Sequence, residues 1–497
     1  MNESITSKLL PEVLDFLSQK QFGGFAGGKD LFSAQDCFIE SHDPGSGEKI
    51  AEIAELDAAE VNHAVDAANR AFLDPSWHDL SIGERGALLH RLADEVEKQK
   101  HVLAQIESLD AGKVEAQAVG DIQNFVDTFR YFIGLAQTVP TRTTLAISGH
   151  EAWTVRQPWG ACAFIFPWNF PFLLIGWGIA PALAAGNTVV IKPAEDTSLS
   201  AIYLAKLAKQ VGIPDGVINV VTGRGETTGS ALSQHQKIKR MSFTGSPEVG
   251  RLVAQSCGHN LVPVKLELGG KGAAIVFDDV DIEDTAQKLV NAITFHTGQV
   301  CCDATRWLIH EKAYDDFVSA CIEKLQSVKI GHQLQETTQM GPVVNEKQRQ
   351  RILSYLDKGK SEGANCLLEG GTISVNGCEG HYVKPALLSG SLDNIAAREE
   401  IFGPVAYLAR FSSEQEAIEM ANQTDYGLAN SVWTEDRNRA TRIAEKMIAG
   451  NSWINAHNVF AHGVPYGGIN KSGMGGGVLS IETLMDYLRS TSVVRPL

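Results

Sequence analysis

TVVIKPAEDTSLSAIYLAKLAKQVGIPDGVINVVTG, residues 188–223, decides the fold class. TVVIKP (188–193) is a short β-branched run of the kind that packs well in a buried strand. From 197 to 212 the apolar residues Leu199, Ile202, Tyr203, Leu204, Leu207 and Val211 recur at helical spacing. Gly212 is placed to end that helix, and Pro214 stands just beyond it. VINVVTG (217–223) reads as the next strand. A strand, a helix and a strand in this order imply parallel pairing with the helix on one face of the sheet.

The alternation continues on both sides of this unit. RMSFTG (240–245), GAAIVFDD (272–279), RWLIH (306–310) and runs near 404–411 and 452–455 predict further strands, with a helix through Phe317 and Leu325. Ser81 and Glu84 form a capping-box pattern ahead of Leu88, Leu89, Leu92 and Val96. Residues 161–186 carry no charge across 26 positions, long enough to suggest a membrane span. Pro167, Pro171, Pro181 and Asn169 interrupt them, so a buried strand, a turn and a buried helix are expected instead. MNESITSKLLPEVLDFLSQKQ reads as an amphipathic first helix and not as a targeting peptide. The chain is α/β throughout, without internal repeat or low-complexity linker.

At 497 residues it exceeds one ordinary core, so two or three domains are expected. A formal charge of −16 argues against nucleic acid or anionic membrane as a partner. Eight cysteines without a C-x-x-C pair fit reduced thiols in a cytoplasm better than a disulfide framework. DDVDIED (278–284) lacks the glycine and distal glutamate of a calcium loop, and reads as an acid-rich helix start. No histidine pair has metal-ligand spacing, so no metal is predicted.

Several short motifs carry chemistry, each modest alone. GRGETTG (223–229) and FTGSPEVG (243–250) follow successive strands, which suits a nucleotide at the carboxyl edge of the sheet. Lys192 and Glu195 can hold ribose hydroxyls, and a carboxylate there disfavours a 2′-phosphate; a surface ion pair is the plainer reading. In LELGGKG (266–272), Glu267 sits between leucines that can raise its pKa toward that of a working base, or it simply precedes a turn. FHTGQVCCDATR (295–306) sets Cys301 and Cys302 side by side with no partner cysteines for a redox or metal pair.

PWNFP (167–171), KPAE (192–195), FTGS (243–246), ELGGK (267–271), GQVC (298–301), EIFGP (400–404) and PYGG (465–468) occur in this order across most of the chain. The series resembles the NAD(P)-dependent aldehyde dehydrogenase superfamily, nearest in pattern to phenylacetaldehyde and betaine aldehyde dehydrogenases. The resemblance implies a Rossmann-like NAD-binding domain (1–137 and 157–266), an α/β catalytic domain (267–480) and a small bridging β element (138–156 and 481–497) that pairs protomers into a dimer or tetramer. It implies Cys301 as the nucleophile, Asn169 with the Cys301 N–H as oxyanion donors, and Glu267 as the base that hydrolyses a thioester to a free acid. By the same resemblance the cofactor is NAD. Lys192 and Glu195 match its adenosine ribose contacts, Ser246 with Gly245 the pyrophosphate and Glu400 with Phe402 the nicotinamide-ribose side, and Gly225 and Trp168 match further cofactor contacts. Asn124, Phe170, Trp177, Phe295, Cys302, Phe460 and Tyr466 match the substrate pocket, whose aromatics suit an apolar or aromatic aldehyde or a cationic one held by cation–π attraction.

Two departures stand out. Gly178 follows Trp177 where the family commonly has lysine, and Gly477 replaces the acid near the C-terminus. Loss of both is expected to leave no buried charge unpaired and to send the Glu267 proton out by water or another route. A different lysine and carboxylate in that space would overturn this. Asp303 replaces the usual small residue, with a local hydrogen bond as the expectation. A Cys–Glu thioesterase or esterase, or an impaired structural or binding member of the fold, remain the alternatives.

Overall fold

A computed structural model describes residues 3–497. The opening unit forms as read, with strand Thr188–Lys192, helix Leu199–Gln210 and strand Ile218–Val220, the strands parallel. They belong to an eight-stranded sheet. Its parallel core runs, in spatial order, Val264–Glu267, Arg240–Thr244, Ala161–Ile165, Thr188–Lys192 and Ile218–Val220. Chain order reverses at Ala161–Ile165, which has the next strand on one side and the later Arg240–Thr244 on the other. Such a switch point opens a crevice at the carboxyl ends of the strands.

The uncharged 161–186 stretch is strand Ala161–Ile165, a turn, and helix Pro171–Ala184, nearly all buried. Pro171 opens the helix, where its missing N–H costs nothing. No helix among the described residues is long and apolar enough to cross a membrane. The Ser81–Glu84 capping box forms, with the hydroxyl accepting from the Glu84 N–H. The expected single amphipathic start is two short helices, Glu3–Thr6 and Pro11–Ser18, the second burying Val13 and Leu17, and the first two positions of that stretch lie outside the described residues.

A second sheet of seven strands has Ala273–Val276 and Arg306–His310 near its centre. Only 268–272 separates the last core strand of the first sheet from this one, so Glu267 ends one sheet at the threshold of the other. A third, three-stranded antiparallel sheet joins Arg142–Ile147, His150–Pro158 and Leu488–Pro496. Within the expected bridging segment, Ile481–Asp486 is helical and only the residues beyond it pair.

Candidate active site

A forced turn builds the cysteine loop. Helix Ile282–Thr294 ends, and His296 (φ 44°), Thr297 (φ 57°) and Gly298 (φ 69°) then stand together in the left-handed region. A non-glycine residue there costs about 1–2 kcal/mol, so its surroundings must hold it. The His296 N–H donates to Gln117 Oε1 at 3.1 Å, and the Thr297 hydroxyl to the Gly341 carbonyl at 3.0 Å. Gly298 admits no side chain, because a Cβ there would overlap the Gly403 carbonyl. Gln299, wholly buried, donates to the His296 carbonyl at 3.0 Å and accepts from the Val344 N–H at 3.0 Å. The glycine–glutamine pair is a clamp that delivers Cys301.

Cys301 is half-buried, with its sulfur 3.6 Å from the Tyr466 hydroxyl. Hydrogen bonding from the Cys302 thiol, opposed by burial and aided by Tyr466, holds its pKa below the ordinary thiol value. The same pairing, together with burial, pushes Cys302 well above it. The Cys302 thiol also lies 3.1 Å from Asn458 Oδ1. One S–H serves one acceptor at a time, and with either Cys302 is the protonated partner. The two shifts run in opposite directions, so Cys301 is the more readily ionised of the pair. Asp303 makes the expected local bond, accepting from Asn458 Nδ2 at 3.0 Å, and burial drives its carboxyl well above the usual range. His457, which the sequence did not single out, braces the loop with Nε2 3.0 Å from the Ala304 nitrogen and 3.0 Å from the Cys302 oxygen.

Glu267 is buried at the end of its strand, and Gly270 beyond it passes so close to Cys301 that a Cβ there would overlap the Cys301 carbonyl oxygen. Neither Glu267 carboxylate oxygen completes a hydrogen bond among the described residues, although the Gly468 N–H approaches. Burial raises its pKa well above the ordinary value, partly offset by the charge of Lys265. Asn169 donates one amide N–H to the Gln299 carbonyl at 2.9 Å. Its second N–H is free to serve an oxyanion.

Cys301 and Glu267 line one cavity of about 770 Å³. All seven expected pocket residues line it too: Asn124, Phe170, Trp177, Phe295, Cys302, Phe460 and Tyr466. Trp177 donates its indole N–H to Asn124 Oδ1 at 2.7 Å, which spends the polar end of the indole and occupies the Asn124 amide oxygen. Trp177, Phe460 and Tyr466 meet edge to face with centroids 5.2–5.5 Å apart. One face of Phe170 is taken by the buried Lys113 ammonium, 3.9 Å from its centroid, whose charge is met by Asp121 and Glu107.

The other expected residues gather at the carboxyl edge of the first sheet and beside it. The buried Lys192 ammonium donates to the Pro193 carbonyl at 2.9 Å and lies 3.6 Å from Glu195. Gly225 opens a single turn over Gly225–Gly229, and a Cβ on it would meet nothing within 4 Å. The Gly245 N–H donates to the Glu267 carbonyl at 3.0 Å, and Ser246 caps helix Pro247–His259. Glu400 accepts from the Gly270 N–H at 2.9 Å, and desolvation pushes its pKa up to about 7. Phe402 and Trp168 meet edge to face at 5.3 Å.

The two glycine departures have a steric cause. A Cβ on Gly178 would come within 2.8 Å of Phe166 and 3.0 Å of Phe164, whose stacked rings fill that side. A Cβ on Gly477 would overlap the Tyr466 carbonyl. Beside Gly477, however, stands another lysine and carboxylate: buried Lys265 donates to the Gly477 carbonyl and lies 2.8 Å from Asp486 Oδ2. A different lysine and carboxylate do stand there, the condition that counts against the expected exit of the Glu267 proton by water or another route. Gly477→Glu is expected to lower the thermal midpoint, at a cost of about 3 kcal/mol from overpacking against backbone, and not to raise activity. A melting curve unchanged from wild type would contradict it.

The aldehyde dehydrogenase family model matches residues 32–493. The chain is 40% identical over 470 residues to aldehyde dehydrogenase 1A1 of Gallus gallus, covering 94% of this chain and 92% of that one. It is 41% identical over 438 residues to retinal dehydrogenase 2 of Homo sapiens, covering 87% and 84%. Among solved structures, the NAD+ complex of aldehyde dehydrogenase from Bacillus cereus superposes with TM-score 0.95 at 35% identity, over 98% of this chain and 99% of that one. Betaine aldehyde dehydrogenase from Staphylococcus aureus in complex with NAD+ gives 0.94 at 33%, over 98% and 97%. A family model that matches residues 32–493, with relatives about 40% identical over most of both chains, shows the family: the chain belongs to the aldehyde dehydrogenase family.

Proposed function

We propose that the chain oxidises an apolar or aromatic aldehyde to the carboxylic acid with NAD+. The observation that carries this reading is that the lower-pKa thiol, Cys301, and an unpaired buried carboxylate, Glu267, line one apolar cavity. The Cys301 thiolate attacks the aldehyde carbon and forms a thiohemiacetal. The second N–H of Asn169 and the Cys301 backbone N–H stabilise its oxyanion, each worth roughly 3 kcal/mol in the barrier. Bound NAD+ supplies the hydride acceptor. A thioester on Cys301 results, and Glu267 takes the proton of the water that hydrolyses it. A thioesterase would need the same cysteine and glutamate but not the nucleotide edge.

That edge fits a dinucleotide. Lys192 spends one of its three donors on Pro193, which leaves others for ribose hydroxyls beside Glu195. The open space over Gly225 and the start of helix Pro247–His259 at Ser246 suit a pyrophosphate. Glu400, Phe402 and Trp168 would flank the nicotinamide end. Glu195 would repel a 2′-phosphate, favouring NAD over NADP. With this assignment 1–137 and 157–266 form the NAD-binding domain and 267–480 the catalytic domain.

An apolar substrate is favoured because Leu173, Val300, Leu428 and Val478 join the aromatic rings around the cavity, while Lys113 already occupies one face of Phe170. The strand Arg142–Ile147 is exposed along its length, with Leu145 and Ile147 uncovered, which supports a homodimer or homotetramer built on that edge. All eight cysteines are free, in keeping with a cytoplasmic protein. The test is absorbance at 340 nm with NAD+ or NADP+ across aromatic, aliphatic, trimethylammonium and acidic aldehydes. The highest kcat/KM is expected with NAD+ and an aromatic or aliphatic aldehyde. A trimethylammonium optimum would replace the substrate class, and no NADH with any aldehyde would sink the oxidation.

A further inference from the structure

We propose that Lys265 and Asp486 are the ionic partner and proton outlet of Glu267, serving the hydrolytic half of the reaction proposed above. Three placements carry this. Lys265 and Glu267 alternate on one strand, Val264–Glu267, so their side chains leave the same face of the sheet. Lys265 is only 1% exposed, whereas Asp486, which ends helix Ile481–Asp486, is 31% exposed at its side chain. The couple thus runs from the interior toward solvent. Finally, a Cβ built on Gly467 would lie 3.0 Å from Glu267 Oε1 and 2.6 Å from the Gly477 Cα. Glu267 therefore lies beside Gly467, which packs against Gly477, the residue whose carbonyl accepts from Lys265.

No direct bond joins Glu267 to Lys265, and both Glu267 oxygens are unpaired. The relay therefore calls for a bridging water or a rotation of the carboxylate. The charged and titratable groups facing the couple are few. Arg240 Nη2 lies 3.4 Å from Asp486, and Glu267 faces Cys301 and the Tyr466 hydroxyl besides Lys265. The Lys265 charge acts on Glu267 in the direction that keeps the base ionised.

The step balances. Water attacks the thioester carbon, its C–O bond forming as Glu267 takes the proton. The C–S bond breaks and returns Cys301 as thiolate. Glu267 passes the proton to Lys265 while Lys265 releases one of its own through Asp486 to solvent, so each group regains its starting state. Lys265 and Asp486 are positioning and relay groups that act through Glu267.

Deacylation isolates this half-reaction. The full-length protein is acetylated at Cys301 with p-nitrophenyl acetate, and loss of the acetyl group is followed by intact mass from pH 6 to 10. Lys265→Met is expected to slow deacylation about tenfold and to move its acid limb up by about one pH unit. Lys265→Arg is expected to restore the limb, and Asp486→Asn to slow the step in a way that added imidazole relieves. An unmoved limb in Lys265→Met, with wild type still making NADH from an aldehyde, overturns this inference alone. A wild type that deacylates but never makes NADH overturns the oxidation reading instead. If Lys265→Met does not fold, Asp486→Asn decides, because it keeps shape and leaves Lys265 beside Gly477.

Discussion

Cys301→Ala is expected to abolish aldehyde-dependent NADH formation, by at least roughly four orders of magnitude, whereas Cys302→Ala keeps turnover and changes which aldehyde is preferred. The two thiols differ in environment more than in position. The Cys301 sulfur lies 3.6 Å from the Tyr466 hydroxyl, and the neighbouring Cys302 and Tyr466 hold its pKa below that of an ordinary thiol against the effect of burial. Cys302 keeps its proton beside Asn458 and the Cys301 sulfur, deep in the cavity wall. Removing its thiol changes the shape of the pocket by about one heavy atom, which alters discrimination among aldehydes by about tenfold. Iodoacetamide should label Cys301 first, with labelling persisting to lower pH than for an ordinary thiol. Turnover surviving in Cys301→Ala and vanishing in Cys302→Ala would place the nucleophile one residue later.

What the sequence made legible here is local. The 188–223 unit declares itself because its periodicities and its glycine and proline stops need no distant partner. The pocket aromatics came through family resemblance, and periodicity alone would have left Phe460 and Tyr466 as loop residues. Other features were hidden for physical reasons. His296 and Thr297 adopt a left-handed backbone that neither residue prefers, and only the contacts to Gln117 and Gly341 show why. Lys265 in VKLELGG looks like an ordinary strand lysine. Its burial depends on the late strand Gly473–Met474 returning antiparallel to Val264–Glu267, which brings the C-terminal segment over it. The one available signal was the two-residue spacing of Lys265 and Glu267 on a strand, which puts a charge beside the base. Without the fold, nothing pointed to Asp486 as its partner.

Glu267→Gln is expected to leave acylation intact and to slow hydrolysis of the thioester by about 10²–10⁴-fold, so that acyl-Cys301 accumulates and is seen by intact mass. The glutamine keeps the volume and loses the base. In the wild type, burial raises the Glu267 pKa well above the ordinary carboxylate value, so the ionised fraction and the hydrolysis rate both rise with pH through that raised pKa. The acid limb should vanish in Glu267→Gln. Stability carries the opposite sign. A raised folded-state pKa means the folded protein holds a proton that the unfolded chain has released, so stability falls as pH climbs from the unfolded pKa to the folded one. Above that window the wild type bears the cost of a buried carboxylate that the Lys265 charge only partly offsets, and below the unfolded pKa it bears none. Glu267→Gln should therefore melt at a higher temperature than wild type near neutral pH, with the gap closing in acid. Catalysis and stability pull apart at this one side chain because a base must be desolvated to work and desolvation is what it costs the fold. A variant that hydrolyses its thioester normally, or one whose melting temperature falls at neutral pH, would remove Glu267 from the role of base.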